Sequence, residues 1–219
     1  AVALQSDGKI VVAGTTNAGV GGRGFLVNRL TTAGVQDSTF NSGAPANVNL
    51  NSSETDDAYA VAIDSNGKIV VAGKSSDTAA VRVARLTSAG VKDTTYDGDG
   101  LSGHTSGLSQ PTVRGMALDS TNRAVVVVKD DDGTGAAVYR FGADGTDPGA
   151  SGAGNSYEGD DLTEAYAVVV ESSGRIVVSG NKVSGGDYDY ALLGLSGTNL
   201  ALDNTFGSSG VRAVGNGAA

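Results

Sequence analysis

Short apolar runs recur along the chain, and residues that favour turns separate them. Val, Ala and Ile supply these runs, as in KIVVAG at 9–14 and again at 68–73, and Gly, Asp, Asn and Ser lie between them. Runs of this length and composition are typical of β-strands. No stretch keeps apolar residues at helical spacing, so no long helix is predicted. The pattern therefore indicates an all-β protein.

The runs belong to a repeat. Four similar segments begin at residues 1, 60, 115 and 167 and read AVALQSDGKIVVAG, AVAIDSNGKIVVAG, GMALDSTNRAVVVV and AVVVESSGRIVVSG. A second block follows each of them, clearest as FLVNRLTTAGVQDSTF at 25–40 and VRVARLTSAGVKDTTY at 81–96. Each unit predicts four strands, a to d. Asp7-Gly8 and Asn66-Gly67 supply the positive φ that a tight turn between strands a and b requires.

Four-stranded units of about 40–50 residues in tandem are typical of propeller blades. We predict an all-β fold, a β-propeller of four four-stranded blades that forms one domain over residues 1–219. The repeats fall at approximately 1–57, 58–112, 113–164 and 165–219. Two alternatives stay open: an open blade array from a larger propeller, and two chains that form an eight-bladed ring. The sequence leaves the oligomeric state undecided.

The pattern A-V-x-x-D-G-K-I-V-V-A-G, followed by R-L-x-x-x-G-x-x-D-x-T/S-F, resembles the delta-60 repeat of large bacterial proteins. The resemblance covers nearly the whole chain. The third copy departs from it, with Asn122 in place of Gly, Ala124 in place of Ile and no aromatic residue after Asp147. The resemblance implies a β-propeller-like fold and an extracellular or cell-surface location, and it carries no catalytic residues. Because the chain begins at Ala1, we also expect it to be part of a longer protein.

Charge and composition narrow the classes of partner. The net charge is −9, with 15 basic residues and no basic patch, so we expect no nucleic-acid partner. No apolar run reaches the roughly 20 residues of a membrane helix, so we expect no membrane insertion. The chain has no cysteine, which excludes disulfides, thiolate metal sites and cysteine nucleophiles.

Polar residues that recur in each repeat are interpreted as structural. An Asp two residues before a Thr favours a turn in which the carboxylate accepts backbone N–H groups, and the aromatic residue that follows is expected to pack between blades. The repeated arginines are expected to lie over a blade edge or to pair with a neighbouring carboxylate. These residues are Asp37, Asp93, Asp203, Arg29, Arg85 and Arg140.

The sequence contains no recognisable catalytic set, and we expect no enzyme. His104 is the single histidine, and no G-x-S-x-G motif is present. The G-x-G-x-x-G match at 19–24 joins strands b and c rather than a strand and a helix, so we interpret it as a loop. The acidic loops could still supply paired carboxylates, which keeps a polysaccharide hydrolase or lyase as an alternative.

Calcium is the one cofactor worth testing. A Ca²⁺ loop alternates carboxylates and carbonyls around a glycine, and Asp97-Gly98-Asp99-Gly100 comes nearest to that pattern. The segment lacks the remaining ligands. Asp97 and Asp99 are therefore the candidate ligands, and no other cofactor is expected.

The segments that vary between repeats indicate where binding occurs. The b–c loops (15–24, 74–77, 129–135, 181–189) and the d–a links (41–57, 97–113, 148–164) differ in length and content. Variable loops on a repeated scaffold usually carry function. We therefore predict a non-enzymatic, adhesin-like binding module that recognises a glycan or protein on a cell surface through this b–c/d–a face; a structural spacer is an alternative. The candidate residues are Arg23, Lys74, His104, Asp131, Tyr157, Asp187 and Tyr188.

Overall fold

The structure, a computed structural model, describes residues 1–16, 24–48, 56–75, 80–131, 135–149, 155–184 and 187–214. Sixteen strands in this part of the chain form four antiparallel sheets of four strands each. The only helical element described is a 3₁₀ turn at Asn41–Gly43. The predicted all-β fold of four four-stranded units is therefore confirmed.

Each sheet is made of four consecutive strands in chain order, which correspond to strands a to d of one repeat. The strands of sheets 1 and 2 are β1 (Val2–Leu4), β2 (Ile10–Thr16), β3 (Gly24–Leu30), β4 (Ala46–Val48), β5 (Asp56–Ile63), β6 (Ile69–Ser75), β7 (Ala80–Leu86) and β8 (Leu101–Thr105). Those of sheets 3 and 4 are β9 (Pro111–Leu118), β10 (Ala124–Asp130), β11 (Ala136–Phe141), β12 (Ser156–Gly159), β13 (Glu164–Val170), β14 (Ile176–Ser184), β15 (Asp187–Leu195) and β16 (Val211–Val214).

The chain divides into two compact units. Unit 1 comprises residues 1–106 together with 142–146 and contains sheets 1 and 2. Unit 2 comprises residues 107–141 and 147–219 and contains sheets 3 and 4. No helix in the described ranges is long and apolar enough to cross a membrane.

Within each unit the core lies between its two sheets. In unit 1, Val11, Phe25 and Val27 of sheet 1 pack with Val71 and Leu86 of sheet 2, and all five are almost fully buried. Val125, Val127, Val138, Val178 and Leu193 form the corresponding core of unit 2. A four-stranded sheet leaves apolar faces bare, so packing one repeat on the next supplies the burial that stabilises it.

The turns between strands a and b adopt the positive φ that their sequences predict. Gly8, Gly67 and Gly174 have φ values of 81°, 77° and 88°. The third repeat has Asn122 at this position, with φ 64°. Asn tolerates the left-handed region better than other residues with side chains. The departure from Gly in this repeat therefore leaves the turn intact.

Strand d lies inside the segments that the sequence assigned to d–a links. β4, β8 and β12 fall within 41–57, 97–113 and 148–164, so the described links shrink to 106–110 and 160–163. The segment 181–189 is also largely strand, because β14 extends to Ser184 and β15 begins at Asp187. β8, β12 and the segment 181–189 are mostly polar in sequence, and main-chain pairing rather than an apolar pattern holds them in their sheets.

Candidate functional site

Each sheet has two ends with different chemistry. The a–b turns and c–d connections lie at one end, which we call the turn end. The b–c hairpins and d–a links lie at the other, which we call the hairpin end. The antiparallel chain order of every sheet fixes this division.

The Asp-x-Thr turns occupy the turn end and have the predicted geometry. Oδ1 of Asp37 accepts the backbone N–H of Thr39 at 2.9 Å and its hydroxyl at 2.7 Å. Asp93 accepts the same two groups of Thr95 at 3.2 and 2.7 Å. Asp203 repeats the arrangement with Thr205. The structural interpretation of these three carboxylates is therefore confirmed.

The repeated arginines join one repeat to the next. Nε of Arg29 donates to Oδ2 of Asp37 at 2.8 Å, and its Nη1 donates at 2.5 Å to the carbonyl of Ser88 in the second repeat. Arg85 makes the equivalent bonds to Asp93 and to the carbonyl of Ala143, within unit 1. The pairing with a carboxylate was predicted, whereas the bond to the following repeat was not.

The guanidinium groups also lie over the aromatic residues that end the turns. The Arg29 guanidinium carbon is 5.0 Å from the centre of the Phe40 ring, and that of Arg85 is 4.6 Å from the Tyr96 ring. Cations at this distance are attracted to the ring face. The predicted packing of these aromatics between repeats is confirmed in unit 1, where a Cβ built on Gly90 of the second repeat would lie 2.6 Å from ring atoms of Phe40.

The last two repeats change the donors and acceptors. Arg140 uses Asn155 in place of an aspartate, with Nη2 2.9 Å from Oδ1, and donates to the carbonyl of Gly197 in the fourth repeat. The fourth repeat has Gly194 where the others have arginine. There Arg175, just before β14, donates to Oδ2 of Asp203 at 2.7 Å.

These contacts keep the turn-end carboxylates ionised. Hydrogen bonds from Thr39, with further help from Lys9 and Arg29, hold the pKa of Asp37 well below its usual range. Burial raises the pKa of Asp93, but hydrogen bonds from Lys68, Thr95 and Arg85 outweigh it and the pKa is low. Hydrogen bonds from Thr205 and Arg175 lower the pKa of Asp203 to about 2. Groups held in this way stabilise the turns.

Three of the predicted binding residues belong to repeats of unit 1. Arg23 lies outside the described residues. Lys74 is half-buried on β6, opposite Asp57 of β5. His104 is half-buried on β8, opposite Val81 of β7. His104 therefore lies on strand d rather than in a link.

Asp131 lies at the hairpin end of sheet 3 and is tied to the start of that sheet. Its Oδ2 accepts the Thr112 hydroxyl at 2.5 Å, and its backbone N–H donates to the carbonyl of Gln110 at 3.0 Å. The neighbouring Asp130, 2% exposed, accepts the backbone N–H groups of Ser109 and Gln110. These two carboxylates hold the link 106–110 in place.

Tyr157 forms a polar group with Asp161 and Lys182 at the hairpin end of unit 2. Its hydroxyl donates to Oδ2 of Asp161 at 2.6 Å, and Oδ1 of Asp161 lies 3.9 Å from Nζ of Lys182. Burial, followed by the hydrogen bond to Asp161, raises the pKa of Tyr157 well above its usual range. Tyr157 therefore remains a neutral donor.

Glu164 lies at the same end, at the start of β13. Its Oε1 accepts Lys129 Nζ at 2.7 Å, and its Oε2 accepts the Tyr166 hydroxyl at 2.6 Å. The Tyr166 hydroxyl in turn accepts Nδ2 of Asn181 at 2.5 Å. The hydrogen bond from Lys129 lowers the pKa of Glu164, and the hydrogen bond to Glu164 raises the pKa of Tyr166 to about 12. We call the following residues the hairpin-end cluster: Lys129, Tyr157, Asp161, Glu164, Tyr166, Asn181 and Lys182.

The remaining predicted residues lie beside this cluster on sheet 4. Asp187 begins β15, and its side chain lies outside the described part of the structure. Tyr188 is 64% exposed and lies opposite Val183, and Tyr190 on the same strand is 71% exposed. Tyr157 and Tyr188 are thus the predicted residues whose side chains unit 2 places at or beside the cluster.

Sequence reasoning missed Lys129, Glu164 and Tyr166 as a connected group. Glu164-Ala165-Tyr166 repeats the pattern of Asp57-Ala58-Tyr59, and a repeated tyrosine is more typical of packing than of a binding site. The usable signal was the lysine at the end of strand b, present as Lys74 and again as Lys129. A cation at that position can reach the acidic residue that opens strand a of a neighbouring repeat.

The candidate calcium ligands lie at the turn end, in the c–d connection of sheet 2. The backbone N–H of Asp97, whose φ is 50°, donates to the carbonyl of Asp144 at 2.7 Å. Oδ1 of Asp99 accepts the backbone N–H of Leu101 at 2.9 Å. Among the residues that the structure describes, no three or more His, Cys, Asp or Glu side chains are grouped to hold a metal ion.

Parts of the first two repeats match a known protein family. A family described as "Domain of unknown function (DUF5122) beta-propeller" matches residues 5–40 and 65–96. The matched segments include the a–b turn, strands b and c and the Asp-x-Thr turn of each repeat. The match supports a β-propeller-like repeat family. No curated protein matches the chain.

Solved structures with the same kind of fold include two glycoside hydrolases. A β-1,3-galactosidase of family GH43 is 12% identical, with 93% of this chain and 46% of that chain covered and a TM-score of 0.50. An exo-β-1,3-galactanase from Clostridium thermocellum is 11% identical, with 98% and 47% covered and a TM-score of 0.50. The chain spans about half the length of each. The chain is therefore an all-β protein of propeller-type four-stranded sheets, and its first two repeats are similar to a β-propeller family of unknown function.

Proposed function

We propose that this protein is a non-enzymatic binding module that recognises a glycan through the hairpin end of unit 2. One observation carries the proposal. At the turn end, the repeated carboxylates and arginines are engaged in contacts that recur from repeat to repeat. The hairpin-end cluster of unit 2 instead collects lysines, tyrosines and carboxylates beside exposed tyrosine rings.

The chemistry of the cluster suits sugar hydroxyls, which both donate and accept hydrogen bonds. Lys129 and Lys182 are donors, and the carboxylates of Asp161 and Glu164 are acceptors already oriented by Tyr157 and Tyr166. Tyrosine rings combine an apolar face with a polar tip, which favours sugar binding. Tyr166 and Tyr188 are 40% and 64% exposed beside these groups.

The state of Glu164 favours binding over hydrolysis. A glycosidase needs one carboxyl group with a raised pKa to protonate the leaving oxygen. The hydrogen bond from Lys129 lowers the pKa of Glu164 instead. A hydrolase or lyase that uses the acidic loops is the second candidate, and a structural spacer is the third. The likeness to the two galactan-acting enzymes concerns the fold and assigns no activity here.

The proposal places the module outside a bacterial cell, secreted or at the cell surface, with a glycan or a protein that carries it as partner. This location rests on the resemblance of the repeat to those of large bacterial proteins. Calcium is kept as an optional component at Asp97 and Asp99. Neither part is needed for the hairpin-end cluster to bind a sugar.

The experiment is a glycan-array screen of the purified chain, run with Ca²⁺ and with a chelator, followed by affinity measurements on variants. Lys182→Ala and Glu164→Gln should each weaken binding of the best hit by at least about tenfold, since a hydrogen bond to a charged group contributes about 1.5–3 kcal/mol. Lys92→Ala, an exposed lysine of the turn end, is the matched control and should leave affinity unchanged.

Three results would contradict the proposal. Unchanged affinity in both cluster variants, with loss in Lys92→Ala, would move the site to the turn end. Release of new reducing ends from the bound glycan would show a hydrolase. A blank array would favour the spacer, and loss of binding in chelator would assign a role to calcium.

A further inference from the structure

Two glycines of sheet 1 are open, although their counterparts in sheet 2 are covered by aromatic rings. A Cβ built on Gly73 would lie 2.7 Å from ring atoms of Phe25, and one built on Gly90 would lie 2.6 Å from ring atoms of Phe40. Both rings come from sheet 1. Gly14 and Gly34 occupy the same repeat positions in sheet 1, and no described atom lies within 4 Å of a Cβ built on either.

The fourth repeat also has aromatic residues at the positions of Phe25 and Phe40, the two rings that cover Gly73 and Gly90. Phe25 lies opposite Thr15, and Tyr190 lies opposite Asn181, at the same step of the b–c ladder. Phe206 ends the Asp-x-Thr turn of the fourth repeat as Phe40 ends that of the first. Phe25 is fully buried, whereas Tyr190 is 71% exposed. Tyr190 lines a cleft of about 180 Å³ with Tyr166, Ser179 and Leu192.

The aliphatic residues of sheets 1 and 4 also differ in burial from their counterparts inside the two units. Val2, Leu4 and Val12 of sheet 1 are exposed, and they stand at the repeat positions of Val61, Ile63 and Val71, which pack into the core of unit 1. On sheet 4, the half-buried Val177 and Leu192 stand at the positions of the fully buried Val11 and Val27. Sheet 1 thus presents the receiving half of a repeat junction, and sheet 4 presents the inserting half.

We propose that this chain associates head to tail, with sheet 4 of one copy packed on sheet 1 of a second copy. Tyr190 of one copy then covers Gly14 of the other, and Phe206 covers Gly34. The partner is argued from continuity, because the same repeat positions form the junction between sheets 1 and 2 in unit 1. Heterologous contacts of this kind build rings or open chains.

The fourth repeat also indicates that this junction is weaker than the junction within unit 1. Arg29 donates to the carbonyl of Ser88 in the following repeat. Gly194 replaces that arginine in the fourth repeat, where Arg175, from just before β14, donates to Asp203 and Thr205 instead. A guanidinium that starts from this different position does not reproduce the Arg29 bond at the carbonyl of Thr32, the counterpart of Ser88, so we expect the association to be reversible.

The first test measures the molar mass of the 219-residue chain by sedimentation. The protein concentration runs from roughly 1 μM to 1 mM, because a reversible contact is expected to have a Kd in this range. The mass should rise with concentration. Val12→Asp and Leu192→Asp each remove one half of the junction and should be monomeric where the parent associates. Val35→Asp is the matched control, because its counterpart Val91 stays 57% exposed in unit 1 although the neighbouring Gly90 is covered by Phe40. Circular dichroism verifies that each variant is folded.

Mixing the two variants distinguishes head-to-tail packing from a contact between two identical faces. The Val12→Asp chain keeps its sheet 4 face, and the Leu192→Asp chain keeps its sheet 1 face. An equimolar mixture should therefore form a dimer of one copy of each, although each alone is monomeric. If Val12→Asp alone still forms dimers, the contact joins two sheet 4 faces and the proposal is wrong.

A disulfide test settles which chain supplies the partner. The natural chain has no cysteine, so Gly14→Cys and Tyr190→Cys can be introduced in separate copies and mixed under oxidising conditions. A disulfide between copies is expected. A monomer at every concentration would overturn the proposal. So would a chain that carries both cysteines and forms the disulfide only within itself. The association does not rest on glycan binding, although Tyr166 belongs both to the cleft and to the hairpin-end cluster. Lys182→Ala, at a residue that does not line the cleft, should associate like the parent.

Discussion

The ring of Phe40 lies against Gly90, the glycine of the turn that follows β7 in the next repeat. Gly90 has φ 86°, and a Cβ there would lie 2.6 Å from ring atoms. The glycine is therefore required twice, by its backbone conformation and by the ring that covers it.

Gly90→Ala should lower the free energy of unfolding by about 3 kcal/mol, the sum of left-handed strain and overpacking. Gly34→Ala is the matched control, since Gly34 has φ 78° and open space, and it should cost only about 1 kcal/mol. Urea denaturation at low protein concentration measures both. Equal losses would mean that the ring contact contributes nothing.

Arg85 is 6% exposed and joins Asp93 to the carbonyl of Ala143. Arg85→Leu should destabilise the chain by about 3 kcal/mol, because the change leaves a buried carboxylate short of one partner and a carbonyl without its donor. Arg212→Leu, at an exposed arginine, should change the unfolding midpoint little. A comparable loss in both variants would contradict a structural role for Arg85.

The free energy of unfolding should fall in acid, because the turn-end carboxylates are stabilising only while they are ionised. The pKa values of Asp37 and Asp93 are lowered in the folded chain, and that of Asp203 is about 2. A lowered folded pKa gives stability that is present above the unfolded pKa of about 3.9 and is lost as pH falls through the folded value.

The melting temperature should therefore be nearly flat from neutral pH to about pH 5 and fall most steeply between about pH 4 and pH 2. Asp93→Asn should melt lower at pH 7 and show a shallower fall in acid, because one of the linked carboxylates is gone. Calorimetry across this range measures both effects. A variant that kept the full acid slope would show that Asp93 is not one of the linked groups.

The fourth repeat depends on a different cation from the first. Arg175 donates to Asp203, whereas Asp37 has both Arg29 and Lys9. Arg175→Ala should raise the pKa of Asp203 from about 2 part of the way to its ordinary value of 3.8, the hydrogen bonds from Thr205 remaining. Lys9→Ala should move the pKa of Asp37 less, because Arg29 remains. NMR titration of the two carboxyl carbons compares them, and a larger change at Asp37 would contradict this assignment.

The sequence predicted those parts of the fold that local chemistry decides. Gly8 and Gly67 marked the a–b turns, and Asp37 followed by Thr39 marked a capped turn, because each depends on neighbouring residues only. Strand d was placed inside the links, since β4 is only three residues long, β12 carries no apolar pattern, and both are paired through the main chain. Local pattern gives no access to pairing partners distant in sequence.

The candidate site was predicted only in part for the same reason. Tyr157 and Tyr188 were selected because they fall in segments that vary between repeats. Glu164 and Lys129 were missed, because they are 35 residues apart and meet only when sheet 4 packs on sheet 3. The bond from Arg29 to Ser88, 59 residues away, was missed in the same way.

The acceptors of the repeated arginines are main-chain carbonyls, and this has a consequence for how such a chain evolves. Three different residue types supply them, Ser88, Ala143 and Gly197. The arginine bond itself therefore needs only a carbonyl, although at Gly197 the main chain of Gly174 leaves no room for a Cβ. A gene segment that encodes one whole repeat can be copied in tandem, and each new copy carries its own guanidinium and its own acceptor.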